Sequence, residues 1–232
     1  RSVAGKFGTR LRFGGVLCVE GLSTSPPPSQ ALFRCRSPMT NNPSNLDRYG
    51  RQVRFAPLGQ EGQQQLAKGR VLVCGSGALG CSVADMLVRA DLGLVRLVDR
   101  AFVDLDNLHR QILFAESDAR EHLPKAVAAA KRLAEINSEV EVEPVVADVN
   151  SSNIRELVKG ITLIVDGTDN FETRYLLNDV AVEANIPWIF AGCVGAEGQR
   201  FAVVPGKTPC ITCEMTCETF APCTVTTTAA PE

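Results

Sequence analysis

The chain has 232 residues, of which 45% are hydrophobic and 22% charged, and its formal net charge is -2. This composition is typical of a globular protein and excludes collagen-like and low-complexity classes. The small net charge gives no general reason to expect binding to nucleic acid or to a membrane surface. No apolar run approaches the ~20 residues that a membrane-spanning helix needs.

The first 45 residues have the composition of a disordered segment. They contain three consecutive prolines and six basic residues against a single acid, Glu20, and show no helical or strand period. Two interpretations stay open. One is a tail that is not translated, with Met39 as the true start. The other is an organelle transit peptide, which is rich in arginine and poor in acids.

The folded part is predicted to begin at residue 46 with two short helices. Asp47 is a candidate cap for the first, and residues 59–68 form a polar helix that leads into a strand. The segment RYGRQ at 48–52 brings Arg48 and Arg51 close together. From the residues alone, a solvated basic helix end is the simplest interpretation of this pair.

The next segment has the order strand, glycine-rich loop, helix, strand and acid. An apolar run at 71–74 leads into GSGALG at 75–80, and a second run at 94–98 ends at Asp99. In such loops the first glycine permits a tight turn, the second lets N–H groups approach a phosphate, and the third allows close helix packing. An acid about 20 residues later is where a ribose-binding carboxylate is expected. Alone, this unit predicts a nucleotide site, most commonly for NAD.

Polar and charged side chains crowd the dozen residues after Asp99. They are Asp104, Asp106, Asn107, His109, Arg110 and Gln111. An NAD site needs no such cluster, whereas a triphosphate needs donors and a permanently charged fork such as Arg110. The cluster therefore favours a nucleoside triphosphate.

A strong helix is predicted over 123–137, with Pro124 in its first turn. Lys125 stands at the helix start, which is unfavourable for a cation because the helix dipole is positive there. This position suggests that Lys125 faces an anion, and an ordinary exposed lysine is the alternative.

The second half continues with alternating strands and helices. Strands are predicted at 140–147, 161–165, 186–191 and 198–204, and helices at 151–159 and 171–185. Asp166 and Asp169 follow the buried strand at 161–165, at the sheet edge where ligands of open α/β sheets bind. Either carboxylate is a candidate for Mg²⁺. Alternatively, Thr168, Asp169 or Asn170 caps the next helix.

The nine cysteines are spaced unevenly, which favours a metal site in a reducing compartment over a disulfide scaffold. Cys74, Cys81 and Cys193 are predicted to be core residues. Cys210 and Cys213 form a CxxC pair, which suits half of a tetrahedral zinc site. Candidates for the other half are Cys217 and Cys223. A redox pair is the alternative, although this CxxC does not open a helix in a thioredoxin-like unit.

Seven motifs in this order resemble those of the ThiF/MoeB/HesA family, whose members are relatives of the ubiquitin-activating enzymes. They are RYGRQ at 48–52, GSGALG at 75–80, LVDRAFVDLDNLHRQ at 97–111, PK at 124–125, DGTDNFETR at 166–174, EGQ at 197–199 and PCITC at 209–213. The resemblance implies a Rossmann-like α/β fold, in which a mostly parallel sheet carries helices on both faces. The chain is expected to be shorter at its C-terminus than members of the family.

The resemblance also implies an activity. Members of the family use Mg·ATP to adenylate the C-terminal Gly-Gly carboxylate of a ubiquitin-like sulfur-carrier protein, and they release pyrophosphate. The reaction serves molybdopterin or thiamine biosynthesis. A cytoplasmic homodimer with a structural zinc ion is the expected form of the enzyme.

Matched residue by residue, the resemblance gives roles to single side chains. The ATP loop falls on Gly75, Gly77, Ala78 and Gly80, with Ala78 where close relatives often have glycine. The other implied roles are ribose binding by Asp99, phosphate binding by Asn107, Arg110 and Lys125 with support from Gln111, Mg²⁺ binding by Asp169, nucleotide contact by Asn170, entry into the partner's ATP site by Arg51, and zinc binding by Cys210 and Cys213.

Three features depart from the family pattern. Asp91 replaces the usual glycine before the second strand, and Ala101 replaces a frequent second acid after Asp99. Family members also usually continue for several tens of residues, with a second CxxC. We therefore expect residues 46–232 to form an adenylation domain that is truncated at its C-terminus.

Three other functions stay open at this point. A tRNA threonylcarbamoyladenosine dehydratase belongs to the same family, and the CxxC counts against it. An NAD(P)-dependent oxidoreductase explains the glycine loop but neither NLHRQ nor PCITC. An inactive, truncated relative would act only in dimerisation or carrier binding.

Overall fold

The computed structural model describes residues 45–194 and 196–216. The predicted tail, except for residue 45, and the candidate zinc ligands Cys217 and Cys223 lie outside these ranges. Within them, six strands form one sheet: β1 Arg70–Cys74, β2 Leu94–Val98, β3 Glu141–Val145, β4 Leu163–Asp166, β5 Trp188–Val194 and β6 Glu197–Val203. The helices are α1 Asn45–Arg54, α2 Gly59–Leu66, α3 Ala78–Arg89, α4 Glu116–Arg120, α5 Lys125–Ile136, α6 Ile154–Leu157, α7 Phe171–Glu183 and α8 Ile211–Thr216.

The strand order is β3-β2-β1-β4-β5-β6. The first five strands are parallel, and β6 pairs antiparallel with β5. The predicted α/β fold with a mostly parallel sheet is therefore confirmed. Because the chain moves outward from β1 to β3 and then returns to β4, the strand order reverses between β1 and β4. A crevice for ligands opens at such a reversal, beyond the carboxyl ends of the strands.

Both faces of the sheet are covered at its centre, which explains the apolar runs of β1 and β4. Successive side chains of β1 point to opposite faces: Val71 and Val73 pack with α3 and α5, whereas Leu72 and Cys74 pack with α6 and α7. Two hydrophobic clusters result, one on each side of the sheet. The prediction that Cys74 and Cys81 are core residues is confirmed, since both are fully buried.

The prediction that Cys193 is a core residue is wrong, because this residue is exposed. Strand β4 pairs with β5 only as far as Phe190, and beyond that point β5 pairs with β6 alone. The hairpin thus extends past the covered part of the sheet. The helix predicted at 151–159 is also shorter in the structure, where it spans Ile154–Leu157.

Asp91 has a φ of 72°, in the left-handed region. Glycine adopts this conformation without strain, and aspartate is one of the few other residues that visit it. The geometry therefore accounts for the preference for glycine at this position and for the tolerance of Asp91. None of the described helices has the length and apolar character needed to cross a bilayer.

A buried ion pair joins β2 to β3. Arg96 and Glu143 are register partners, with Nη2 2.7 Å from Oε2, and their side chains are 12% and 3% exposed. Arg96 Nη1 also donates to the carbonyl oxygen of Leu157, at 2.6 Å. The guanidinium thus links the sheet to α6.

We predict that Arg96→Ala lowers the free energy of unfolding by about 3–5 kcal/mol, because it removes the cation that offsets a buried carboxylate. The matched control is Arg155→Ala, which breaks the exposed pair with Glu183 and is expected to cost less than ~1 kcal/mol. Urea denaturation measures both. Equal losses for the two variants would contradict the prediction.

Candidate functional site

The site is built on a close approach of two backbone turns. The first follows β1 at Gly75, whose φ of 85° is one that glycine adopts without strain. The second follows β4 at Gly167, whose N–H donates to the Cys74 carbonyl oxygen at 2.9 Å. A Cβ at Gly80 would lie 1.8 Å from the Gly75 carbonyl oxygen, and one at Gly167 would lie 3.0 Å from the Gly80 nitrogen. The missing side chain at Gly80 lets α3 close on the first turn, and the one at Gly167 lets the second turn contact the start of α3.

Asp99, at the end of β2, organises the rim of the glycine loop. Its Oδ2 accepts a hydrogen bond from the Ser76 N–H and its Oδ1 one from the Ala101 N–H, both at 2.7 Å. Each carboxylate oxygen keeps a free lone pair, since each can accept about two hydrogen bonds. A carboxylate at the tip of the second strand, with acceptor capacity left, suits a ribose hydroxyl.

The polar residues after β2 form a hydrogen-bonded group centred on Asn107. Asn107 Oδ1 accepts from Gln111 Nε2 at 2.7 Å and from Arg110 Nη2 at 3.2 Å. Arg110 Nη1 also donates to the Asp106 carbonyl oxygen, at 3.1 Å. Arg110 is exposed and Gln111 is buried. The buried Gln111 amide therefore fixes Asn107, which in turn binds the exposed guanidinium of Arg110.

Lys125 is the first residue of α5, and its N–H donates to the Ala101 carbonyl oxygen at 2.8 Å. The helix therefore starts against the turn that Asp99 organises. Burial raises the pKa of the Cys81 thiol to about 12, while the charge of Lys125 acts to lower it and that of Asp99 to raise it. Both charges thus lie near the first turns of α3, where the glycine loop ends.

Asp166 is fully buried, and both of its oxygens are bound within the protein. Oδ1 accepts from the Thr168 N–H at 2.8 Å and from its hydroxyl at 2.6 Å, and Oδ2 accepts from Arg174 Nε at 3.2 Å. Burial raises the pKa of the Asp166 carboxyl, and these hydrogen bonds oppose the shift. Of the two carboxylates considered for Mg²⁺, Asp166 is therefore a structural residue.

The other carboxylate, Asp169, is exposed at the same sheet edge, whereas Asn170 caps α7. Asn170 Oδ1 accepts from the N–H groups of Glu172 and Thr173, at 2.8 and 3.4 Å. Magnesium is commonly bound through one or two carboxylates together with substrate phosphates, and Asp169 fits that role. Within the described residues, no group of three or more metal-binding side chains occurs.

Two buried polar atoms near this edge have no hydrogen-bond partner within the described residues. They are Ser76 Oγ, in a residue 1% exposed, and Gln111 Oε1, in a residue 3% exposed. Leaving such an atom unpaired costs roughly 1–3 kcal/mol. The Ser76 hydroxyl, in the glycine loop, can donate to a phosphate, which fits a nucleotide, whereas Gln111 Oε1 can only accept a hydrogen bond.

Arg51 lies away from this edge. Its helix α1 is held by Asn137, which follows α5: the Asn137 side chain donates to the Tyr49 hydroxyl at 2.8 Å and to the Val88 carbonyl oxygen at 3.0 Å, and Arg48 donates to it. Val88 and Asn137 are at the opposite ends of α3 and α5 from the glycine loop and Lys125. The Arg48 side chain thus attaches α1 to the C-terminal end of α5, whereas Arg51 is exposed.

The CxxC pair lies at the start of α8. Cys210 and Cys213 have their Sγ atoms 3.3 Å apart, and Asn178 Oδ1 accepts from the Ile211 N–H at 3.0 Å. Helix α8 begins directly after Cys210, so the pair lies at a helix start, and the strand before it is the antiparallel β6. Two adjacent sulfur atoms suit part of a zinc site.

Arg174 and Asn137 are the residues that sequence reasoning missed. Arg174 lies on α7 eight residues after Asp166 and is buried. A cation so close to a run of acids was a usable signal, since a buried carboxylate needs a partner. Asn137 ends a helix, where many asparagines are found, and the sequence gives no sign of its contacts.

Comparison with known proteins places these features in a family context. The profile of the ThiF family matches residues 49–231. The sulfur carrier protein ThiS adenylyltransferase of Bacillus subtilis is 49% identical over 166 residues, which make up 72% of this chain and 49% of that protein. The SAMP-activating enzyme E1 of Haloferax volcanii is 40% identical over 170 residues, or 73% of this chain and 62% of that protein.

Among solved structures, the crystal structure of E. coli MccB with ATP is similar, with a TM-score of 0.64 and 28% identity. The match covers 73% of this chain and 52% of MccB. The chain thus spans about half the length of several proteins that it matches.

We predict that Gly80→Ala lowers the free energy of unfolding by about 1–3 kcal/mol, because its Cβ overlaps the Gly75 carbonyl oxygen and forces the backbone to move. Gly77→Ala is the matched control in the same loop: no atom lies within 4 Å of its added Cβ, and its φ is -77°. Urea denaturation of both variants is the measurement. An equally stable Gly80→Ala protein would show that the first turn of α3 does not pack closely on the Gly75 carbonyl oxygen.

Proposed function

We propose, for a chain that belongs to the ThiF family, that it binds Mg·ATP at this sheet edge and adenylates the C-terminal carboxylate of a ubiquitin-like sulfur-carrier protein. The observation that carries the proposal is that the glycine loop, Asp99 and the turn before Asp169 meet at one strand-order reversal. The Arg110 group and Lys125, on the segments that follow β2, are proposed to complete the site. The names of the curated relatives, one of which acts on the sulfur carrier ThiS, support this choice of substrate.

The nucleotide is proposed to lie along the glycine loop. Asp99 accepts hydrogen bonds from the ribose, and the N-terminus of α3 faces the phosphates with its unpaired N–H groups and positive dipole. Ser76 Oγ, which is buried without a partner within the described residues, has a donor to offer there. Arg110 and Lys125 are proposed to add positive charge next to the phosphates.

The proposed reaction needs no general base, since the attacking carboxylate is already an anion. One of its oxygens forms a bond to the α-phosphorus, the bond between that phosphorus and the bridging oxygen breaks, and pyrophosphate leaves with the electron pair. The barrier comes from bringing an anion to a polyanion. Arg110, Lys125 and the helix N-terminus offset this repulsion and stabilise the departing pyrophosphate. Mg²⁺, held by Asp169, would neutralise phosphate charge when bound.

We predict that Arg110→Ala and Asp169→Ala each reduce adenylation by at least ~100-fold, the scale expected for one electrostatic contact at a reacting group. ATP–pyrophosphate exchange with Mg²⁺, with and without a carrier protein that ends in Gly-Gly, measures this step. Exchange that depends on the carrier would support the proposed function.

The matched control is Arg120→Ala, which removes an exposed guanidinium paired with Glu116 on α4 and is expected to leave the exchange rate unchanged. A near-normal rate in either site variant would remove that residue from the mechanism. If the wild-type protein binds NAD and not ATP, the proposed function itself fails.

Arg51 is proposed to act in the ATP site of a second copy of the chain, so that the active form is a homodimer. Its own glycine loop lies at the other end of α3, and the twelve residues of that helix span roughly 18 Å. An exposed arginine on a firmly docked helix is well placed to reach a neighbouring subunit.

We predict that Arg51→Ala and Arg110→Ala, each nearly inactive alone, regain activity when mixed. A mixed dimer has one site with both arginines and one with neither, so random exchange restores about a quarter of the wild-type sites. Pyrophosphate exchange after subunit mixing is the measurement. No recovery, in a mixture shown to contain hybrid dimers, would place Arg51 in its own subunit's site or outside the mechanism.

Cys210 and Cys213 are proposed as half of a structural zinc site, supported by their adjacent sulfur atoms. Thiolates are preferred zinc ligands, and structural sites have four of them or a mixture with histidine. A cytoplasmic location, which the family resemblance implies, stays a prediction.

A further inference from the structure

We propose that Arg174 is a positioning residue that fixes the turn before Asp169 and thereby sets the magnesium affinity of the site. This inference rests on the proposed function, because it concerns how Asp169 is presented to Mg·ATP. It assigns a role to a buried guanidinium that does not itself reach the exposed edge.

Arg174 holds the turn through two groups at once. Its Nε is 3.2 Å from Asp166 Oδ2, and its Nη2 donates to the Thr168 carbonyl oxygen at 2.7 Å. The guanidinium carbon lies 4.3 Å from the ring centroid of Phe190 and 5.0 Å from that of Phe171. The cation is therefore bound by hydrogen bonds in its plane and by aromatic rings over its faces.

Thr168 is held from its other side by Asp166. The Asp166 carboxylate accepts from the N–H and the hydroxyl of Thr168, at 2.8 and 2.6 Å. Thr168 thus has its N–H, hydroxyl and carbonyl oxygen all bound by the same ion pair. Asp169 is the next residue along the chain, so the direction in which it leaves the turn is set by this arrangement.

The same turn also touches the glycine loop. A Cβ at Gly75 would lie 3.1 Å from the Gly167 carbonyl oxygen and 3.3 Å from Thr168 Cγ2. A shift of residues 167 and 168 therefore disturbs the loop proposed to bind the phosphates. Arg174 supports both the proposed metal ligand and the proposed phosphate loop.

Lysine cannot replace arginine in this role, although it keeps the charge. An ammonium group is a single point donor without planar faces, whereas the guanidinium presents a rigid fork that bonds two acceptors and stacks on rings. Arg174→Lys is thus expected to retain an ion pair with Asp166 and to loosen the hold on the Thr168 carbonyl oxygen.

Arg96 provides a matched control elsewhere in the same molecule. It is also a largely buried arginine that pairs with a carboxylate and donates to backbone carbonyl oxygens, those of Leu157 and Lys159. Glu143 lies on β3, Leu157 ends α6 and Lys159 follows it. None of these partners belongs to the proposed site. Arg96→Lys therefore reports the general cost of replacing a buried arginine.

The test measures binding of ATP by calorimetry over a series of Mg²⁺ concentrations, together with urea denaturation. Arg174→Lys is expected to raise the half-saturating Mg²⁺ concentration at least ~10-fold, as is usual when a group that orients a metal ligand is changed. Arg96→Lys is expected to lose stability but keep the wild-type Mg²⁺ dependence. In exchange assays, saturating Mg²⁺ restores most of the rate of Arg174→Lys and little of that of Asp169→Ala.

A second variant covers the case in which Arg174→Lys does not fold. Thr168→Val keeps the side-chain shape and removes the hydroxyl bond to Asp166, so it loosens the same turn from the other side. We expect it to raise the half-saturating Mg²⁺ concentration in the same direction.

The outcomes separate the two proposals. If the wild-type protein binds Mg·ATP and the variants at 174 and 168 have the Mg²⁺ dependence of Arg96→Lys, the positioning role is overturned and the proposed function stands. If the wild-type protein does not bind Mg·ATP, the proposed function fails and the positioning role fails with it.

Discussion

Contact between two backbone turns, one after β1 and one after β4, is the constraint on which the rest of the site depends. A side chain at Gly167 would press on the Gly80 backbone, and one at Gly75 would press on the Gly167 carbonyl oxygen, so the turns meet only through bare backbone. Parallel pairing of β1 with β4 brings both turns to the same edge. Because the strand order reverses there, the N-terminus of α3 faces an open crevice rather than another crossover.

The ion pair between Asp166 and Arg174 shows how this edge combines burial with charge. Burying a carboxylate is unfavourable, which is why burial raises the pKa of Asp166. An apolar pair of similar volume would often be as stable or more stable. An apolar pair would form no directional hydrogen bonds, whereas the carboxylate and the guanidinium bond three different groups of Thr168. Burying this ion pair therefore costs desolvation free energy, and the same ion pair fixes the geometry of the exposed edge.

Local patterns made much of the fold and of the site predictable from the sequence. The glycine loop, the strand ending at Asp99 and the helix starting near Lys125 each have a signal within a few residues. The distinction between Asp166 and Asp169 has a weaker signal, because both carboxylates follow one strand and Arg174, eight residues after Asp166, does not by itself show which of them it pairs with. The burial of Cys193 was predicted wrongly for a related reason. The sequence of β5 is typical of a buried strand, but β4 is shorter than β5 and leaves the end of β5 that contains Cys193 uncovered.

Helices α3 and α5 connect two regions with different roles. Their N-termini border the glycine loop and the Asp99 turn, while their C-terminal ends meet at Asn137, which holds α1 through Tyr49 and Arg48. Helices are stiff over this length, so α1 has a fixed position relative to the site without touching it. A docked helix that carries an exposed arginine away from its own site is proposed to serve the other site of a symmetric pair. The anchoring at Asn137 is therefore as much a requirement of the proposed dimer as Arg51 itself.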